Sequence, residues 1–127
     1  MPVTTSIHPE DGYIIARYAG PFSDAELLSS YADVHRQEDK SPERDTLVDL
    51  REAALAEITG DGIRRLQQEI EKDLKQRSIS SRKVAICAPR DLEFGFARMY
   101  SILAEEAPEH VRVFRDLQEA EAWLTEL

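Results

Sequence analysis

A single cysteine, Cys87, has no partner for an intramolecular disulfide, so the chain must fold without covalent staples. Histidine is nearly as scarce. His8, His35 and His110 stand far apart with no Cys or His at ligand spacing, so no metal is expected. No apolar run approaches the roughly 18 residues of a membrane-spanning helix. The opening "MPVTTSIHPEDG" lacks a charged-then-apolar leader, and the expected location is the cytosol. Glycines number five and none belongs to a phosphate loop. No Ser/His/Asp or Cys/His set is readable, and no carboxylate pair stands out among 25 scattered acids. The expectation is a protein that is not an enzyme and uses no cofactor. Positive charge is short as well: Lys and Arg number 16 against 25 Asp and Glu, a net charge of −9. Such a surface repels polyanions, which disfavours nucleic acid and anionic membranes as partners.

What is present is alternation. At 127 residues the chain is expected to form one domain, residues 1–127, with a core of its own. "VTTSIHPEDGYIIARYAG" reads as two extended runs around Pro9-Glu10-Asp11-Gly12, a hairpin closed by a positive φ at Gly12. Ser23 and Glu26 make a capping box for a helix with Leu27, Leu28, Tyr31 and Val34 at helical spacing. "DKSPER" is a polar loop, and "DTLVDLR" is a short strand followed by an "EAALAE" connection. The next helix carries Ile63, Leu66, Ile70 and Leu74 as its stripe, with Glu71–Lys75 and Asp73–Arg77 outside at i,i+4. "KVAICA" is apolar after its first lysine, as a strand covered on both faces should be. Leu92, Phe96, Met99 and Leu103 form a third stripe, and Asp91 is its simplest cap. "HVRVFRD" alternates as a strand, and Asp116 with Glu119 caps a last helix whose Leu117, Ala120, Leu124 and Leu127 face inward.

The order β-β-α-β-α-β-α-β-α predicts an α/β fold. Its five-stranded sheet is mostly parallel and flanked by helices, with the first strand antiparallel through its hairpin. In such sheets sites gather at the carboxyl ends of strands, here the loops at 19–23, 51–61, 88–91 and 115–116.

Two stretches stand out. In "EITGDGIRRL" Thr59 alone would cap the helix, yet Gly60-Asp61-Gly62 follows. A helix N-terminus holds free N–H groups and favours an anion. Asp61 then either complements the dipole as an ordinary first-turn acid or serves a binding surface. In "LEFGFARMY" Phe94, Phe96, Met99 and Tyr100 cannot share one narrow helix face, so they either pack the core or present a surface suited to an apolar ligand. The remaining candidates read as structural. Cys87 lies in an apolar strand with no neighbouring base, Asp49 interrupts a strand, and His35 follows the first helical stripe. Arg90 follows a strand end and is a candidate for contact with an anion or a partner.

This element order, with "TLVDLREAALAEITGDGIRRL" and "KVAICAPRDLEFGFARMY", resembles the STAS domain of anti-sigma factor antagonists, and most closely its SpoIIAA-like branch. In antagonist STAS domains a Ser or Thr, preceded by Asp-Ser and followed by Gly-Leu, opens the second helix. A partner kinase phosphorylates it and so releases the anti-sigma factor. Matching Gly62-Ile63 to that Gly-Leu places Asp61 at the phosphoacceptor position, Gly60 at the preceding Ser and Thr59 at the Asp. The resemblance therefore implies a regulatory domain that binds a protein partner without the usual phosphoacceptor, with Asp61 as a fixed partial phosphate mimic. The implied partner surface comprises Thr59, Gly60, Asp61, Gly62, Arg64, Arg65 and Arg90. The same superfold is related to the lipid-binding Sec14 domain. That relationship implies an alternative: an apolar small molecule or lipid held by Leu27, Tyr31, Phe94, Phe96, Met99 and Tyr100, with transient membrane association. Pairing of two copies through an edge strand or a helix is a further expectation.

Overall fold

The computed structural model describes residues 3–10, 12–37, 44–79 and 81–126, the backbone alone at 34–37. Asp11, the side chains of Val34 and His35, Leu127 and all of "DKSPER" except Arg44 lie outside the described residues. The elements run β1 (Thr4–Pro9), β2 (Tyr13–Ser23), α1 (Asp24–Gln37), β3 (Asp45–Glu57), α2 (Gly60–Gln76), β4 (Lys83–Cys87), α3 (Asp91–Leu103), β5 (His110–Phe114) and α4 (Leu117–Leu124). They build one five-stranded sheet in the order β1-β2-β3-β4-β5, with β1 antiparallel to β2 and the other pairs parallel. Gly12 closes the hairpin at φ 88°, as a turn returning an antiparallel strand requires.

Because the parallel strands are consecutive and their crossovers share one hand, α1, α2 and α3 all fall on the same face of the sheet. There Ala16, Tyr18, Leu50, Val84 and Ile86 meet Leu27 of α1, Ile63, Ile70 and Leu74 of α2, and Ala97 and Tyr100 of α3. Side chains alternate across a strand, so Tyr13, Ile15, Leu47, Ala85 and Cys87 point to the opposite face, where Ala120, Trp123 and Leu124 of α4 cover them. The caps read from sequence are present. Ser23 and Glu26 exchange bonds of 3.0 and 3.2 Å, and Asp116 accepts from the Glu119 amide at 3.0 Å.

Two elements depart from the sequence pattern. "EAALAE" is not a connection. It continues β3, pairing Glu52, Ala53, Ala54 and Glu57 with Ala19, Gly20, Pro21 and Ser23 of an equally prolonged β2. Its Ala, Leu and Glu are helix formers by propensity, and cross-strand pairing with burial of Ala53 and Leu55 overrides that preference. The stretches 19–23 and 51–57 are thus strand rather than loop.

The second departure is the face of α3. Glu93, Ala97 and Tyr100 are its buried positions, whereas Leu92 is 47% exposed and Phe96, Met99 and Leu103 are only partly covered. The cause is the free edge of β3. Its pairing with β4 ends at Asp49, so on the side away from β2 Ala53 and Leu55 present backbone groups with no strand beside them. Glu93 Oε2 accepts from the Leu55 amide at 3.0 Å, and Arg90 donates to the Ala53 carbonyl while lying 3.2 Å from Glu93. Buried backbone groups need partners, so α3 turns its acid inward. Asp91 is not its cap: Arg90 holds that position without a side-chain bond, and Asp91 pairs outside with Arg115 at 2.8 Å.

Hydrophobicity alone would rank Leu92 above Glu93 in importance, and the structure reverses that order. Glu93→Ala is expected to cost about 2–3 kcal/mol through the unpaired Leu55 amide, and Leu92→Ala about 1 kcal/mol or less. Urea unfolding of the two variants checks this.

Candidate functional site

Between the sheet and the three helices lies an apolar cavity of about 110 Å³. Its walls are buried or half-buried: Leu50, Leu55, Val84 and Ile86 from the sheet, Leu27 and Tyr31 from α1, Ile63 and Leu66 from α2, and Phe96 and Ala97 from α3. Of the residues proposed for an apolar ligand, Leu27, Tyr31, Phe96 and Tyr100 line it. Phe94 and Met99 are not on the wall. Arg115 stacks over the Phe94 ring at 4.1 Å, and the Met99 methyl lies beside Gly60.

One end of the cavity is polar. Arg82, just before β4, and Glu109, just before β5, form a pair with side chains 7% and 2% exposed and closest atoms 3.4 Å apart. The Tyr100 hydroxyl, entering from α3, donates to Glu109 Oε1. Burial, with the carboxylate beside it, pushes the Tyr100 phenol well above its ordinary range. Arg82 and Glu109 were missed from sequence. They sit 27 positions apart, each directly before a strand, and meet only because β4 and β5 are parallel neighbours.

The "GDG" stretch resolves into a junction between two helices. Asp24, at the start of α1, accepts from the Thr59 amide at 2.9 Å and from the Thr59 hydroxyl at 2.6 Å, and Thr59 Oγ1 accepts from the Gly62 amide at 3.0 Å. A Cβ on Gly62 would stand 2.1 Å from the Asp24 carboxylate, so glycine is needed there for close approach. Gly60 meets nothing closer than the Met99 methyl, at 3.5 Å from its ideal Cβ. An anion of the protein's own thus already sits at the start of α2. Those Thr59 bonds hold the Asp24 carboxyl below its usual range. Asp61 is not part of this junction. Its side chain is 88% exposed and pairs with Arg64 at 2.7 Å, and Arg65 is exposed beside it. The seven residues of the proposed partner surface therefore divide. Asp61, Arg64 and Arg65 face outward, while Thr59 and Gly62 hold α1 against α2, Gly60 packs beside Met99 of α3, and Arg90 holds the edge of β3.

On the opposite face, Asp49 is buried under two arginines. It accepts from the Arg51 amide, Nε and Nη2 at 3.0, 3.0 and 2.9 Å, and from Arg17 Nε at 3.4 Å. Burial alone would raise its pKa, and the Arg51 and Arg17 contacts outweigh that and lower it. Beside it Cys87 is fully buried, and burial with the Asp49 charge pushes its thiol up to about 11. A thiol so placed lacks the electropositive, partly exposed setting of a reactive cysteine. Among the described residues no three His, Cys, Asp or Glu side chains gather as a metal site needs, and no helix is long and apolar enough to cross a membrane.

No family model matches the chain, and no curated protein matches it in sequence. A solved structure is similar: the crystal structure of an uncharacterized protein of the DUF3478 family with a SpoIIAA-like fold, from Shewanella loihica PV-4. The likeness covers 96% of this chain and 93% of that one, with a TM-score of 0.61 and 17% identity. The chain has a SpoIIAA-like fold, as the sequence resemblance implied.

Two outcomes follow from these geometries. Gly62→Ala is expected to cost about 1–2 kcal/mol in the native background, because it expels Asp24 from Thr59. In an Asp24→Ala background it should be neutral or slightly stabilising, since alanine is the better helix residue; a double-mutant cycle in urea measures the difference. Asp49, with its folded pKa below the unfolded 3.8, contributes stability that is present above pH 3.8 and lost as pH falls through the lower value. The urea midpoint of Asp49→Asn should accordingly fall less between pH 5 and pH 3 than that of the native chain.

Proposed function

We propose that this protein is a non-catalytic binding module for a compact apolar small molecule, held between the sheet and α1, α2 and α3. One observation carries the reading: an apolar cavity of about 110 Å³ at the centre of the fold, lined by Leu27, Tyr31 and Phe96 among others. An apolar space walled by aromatic and leucine side chains suits an apolar guest.

Size narrows the ligand class. An engineered cavity of about 150 Å³ holds benzene and stays dry when empty. The present volume is smaller, so a short branched chain or, with slight give of the walls, a single ring is the upper limit, and a full lipid or sterol does not fit without repacking. The net charge of −9 likewise gives no support to anionic-membrane association.

A second reading, a regulatory domain that docks a protein partner, draws on the SpoIIAA-like fold and on the exposed trio Asp61, Arg64 and Arg65 at the start of α2. It is the weaker of the two, because Thr59, Gly62 and Arg90 are engaged in holding the fold itself.

Toluene is the probe for the first reading. It should raise the unfolding temperature by a few degrees and shift the methyl resonances of Leu55, Ile63 and Val84. Ala97→Leu, which fills the void from α3, should abolish both effects. Resonances left unmoved by saturating toluene would contradict the reading.

A further inference from the structure

We propose that the ligand of this cavity is electrically neutral and carries a hydroxyl at one end, seated on Glu109. This rests on the small-molecule reading above and adds to it the chemistry of the head group.

The cavity is apolar along most of its length, with its polar groups gathered beneath the amino ends of β3, β4 and β5, where Arg82, Glu109, Tyr100 and Thr46 meet it. The His110 amide donates to the Arg82 carbonyl at 2.7 Å, which fixes the two strand entries side by side. Arg82 and Glu109 are both out of water and bring one charge of each sign. An added carboxylate would leave a negative charge in excess at a site without solvent. An added ammonium would crowd Arg82. Burying an uncompensated charge is expensive, so the site selects a neutral molecule.

The contacts of Glu109 select the polar atom. A carboxylate has about four lone-pair directions. Among the described residues, Tyr100 donates to Oε1 at short range, while Arg82 approaches Oε2 through Nε and Nη2, both at 3.4 Å. Contacts that long are weak, and Glu109 retains capacity for a further donor. A ligand hydroxyl supplies that donor, with its apolar body extending toward Leu55 and Phe96.

The test uses the full chain with phenol, toluene and benzoate, followed by calorimetric titration. Phenol and toluene are expected to bind, and benzoate is not. In the double variant Arg82→Leu, Glu109→Leu the affinity for toluene should persist, which also shows that the variant is folded. Phenol affinity should fall about tenfold, as loss of a hydrogen bond to a charged group implies. A crystal of the native chain soaked in phenol gives an answer independent of any variant: the phenol oxygen should lie within hydrogen-bond distance of Glu109. A hydroxyl turned toward Phe96, phenol binding that survives the double substitution unchanged, or benzoate bound more tightly than phenol would each overturn the proposal. Failure of toluene to bind the native chain would instead overturn the small-molecule reading beneath it.

Discussion

The helices on the crowded face of the sheet are held by polar anchors, and these anchors fix how closely the apolar side chains between them can pack. Asp24 grips Thr59 and occupies the space a Cβ would take at Gly62, which sets α1 against α2 at their amino ends. The Tyr31 hydroxyl donates to Asp73 at 2.9 Å and joins the same helices further along. Glu93 and Arg90 seat α3 on the free edge of β3, and Tyr100 ties its other end to Glu109. The Glu93 and Tyr100 anchors satisfy groups that would otherwise be buried without a partner, so these two resist displacement more than an apolar contact does. Helices pinned in this way cannot slide together to close a gap beneath them. The cavity is the space left over.

That arrangement gives the two faces of the sheet different work. The α4 face is filled by Tyr13, Leu47, Cys87 and Trp123, and the Tyr13 hydroxyl, donating to Glu121 at 2.8 Å, fastens α4 to β2. Burial and that carboxylate push the Tyr13 phenol up to about 12. The three-helix face keeps a void and a buried ion pair instead. A buried pair is weak evidence of stability, since apolar residues of similar volume often do as well. Its placement at one end of an apolar cavity gives it a use that stability does not, namely to orient whatever enters.

Much of the architecture was legible because it depends on local chemistry. The capping box at Ser23, the cap at Asp116, the turn at Gly12 and the apolar run of β4 after Lys83 each follow from a few adjacent residues. The prolongation of β3 was not legible, since "EAALAE" favours a helix locally and becomes strand only by pairing with β2. The facing of α3 was hidden for a related reason. Ala97 does not stand out among stronger hydrophobes, Glu93 reads as surface, and both point inward because β3 ends its pairing beneath them. Of the site, Leu27, Tyr31, Phe96 and Tyr100 were found as residues, but the void they enclose belongs to no residue. Gly62 was recognised as unusual, and its cause, Asp24, lies 38 positions earlier in the chain.

Binding of an apolar guest requires that the space between the sheet and its three helices admit one. Xenon occupies dry apolar cavities and leaves a strong scattering peak, so a crystal of the native chain pressurised with xenon tests this requirement directly. One xenon peak enclosed by Leu27, Leu55, Ile63 and Phe96 is expected. Side chains packed across that volume with no xenon between them, or ordered water filling it, would contradict the account.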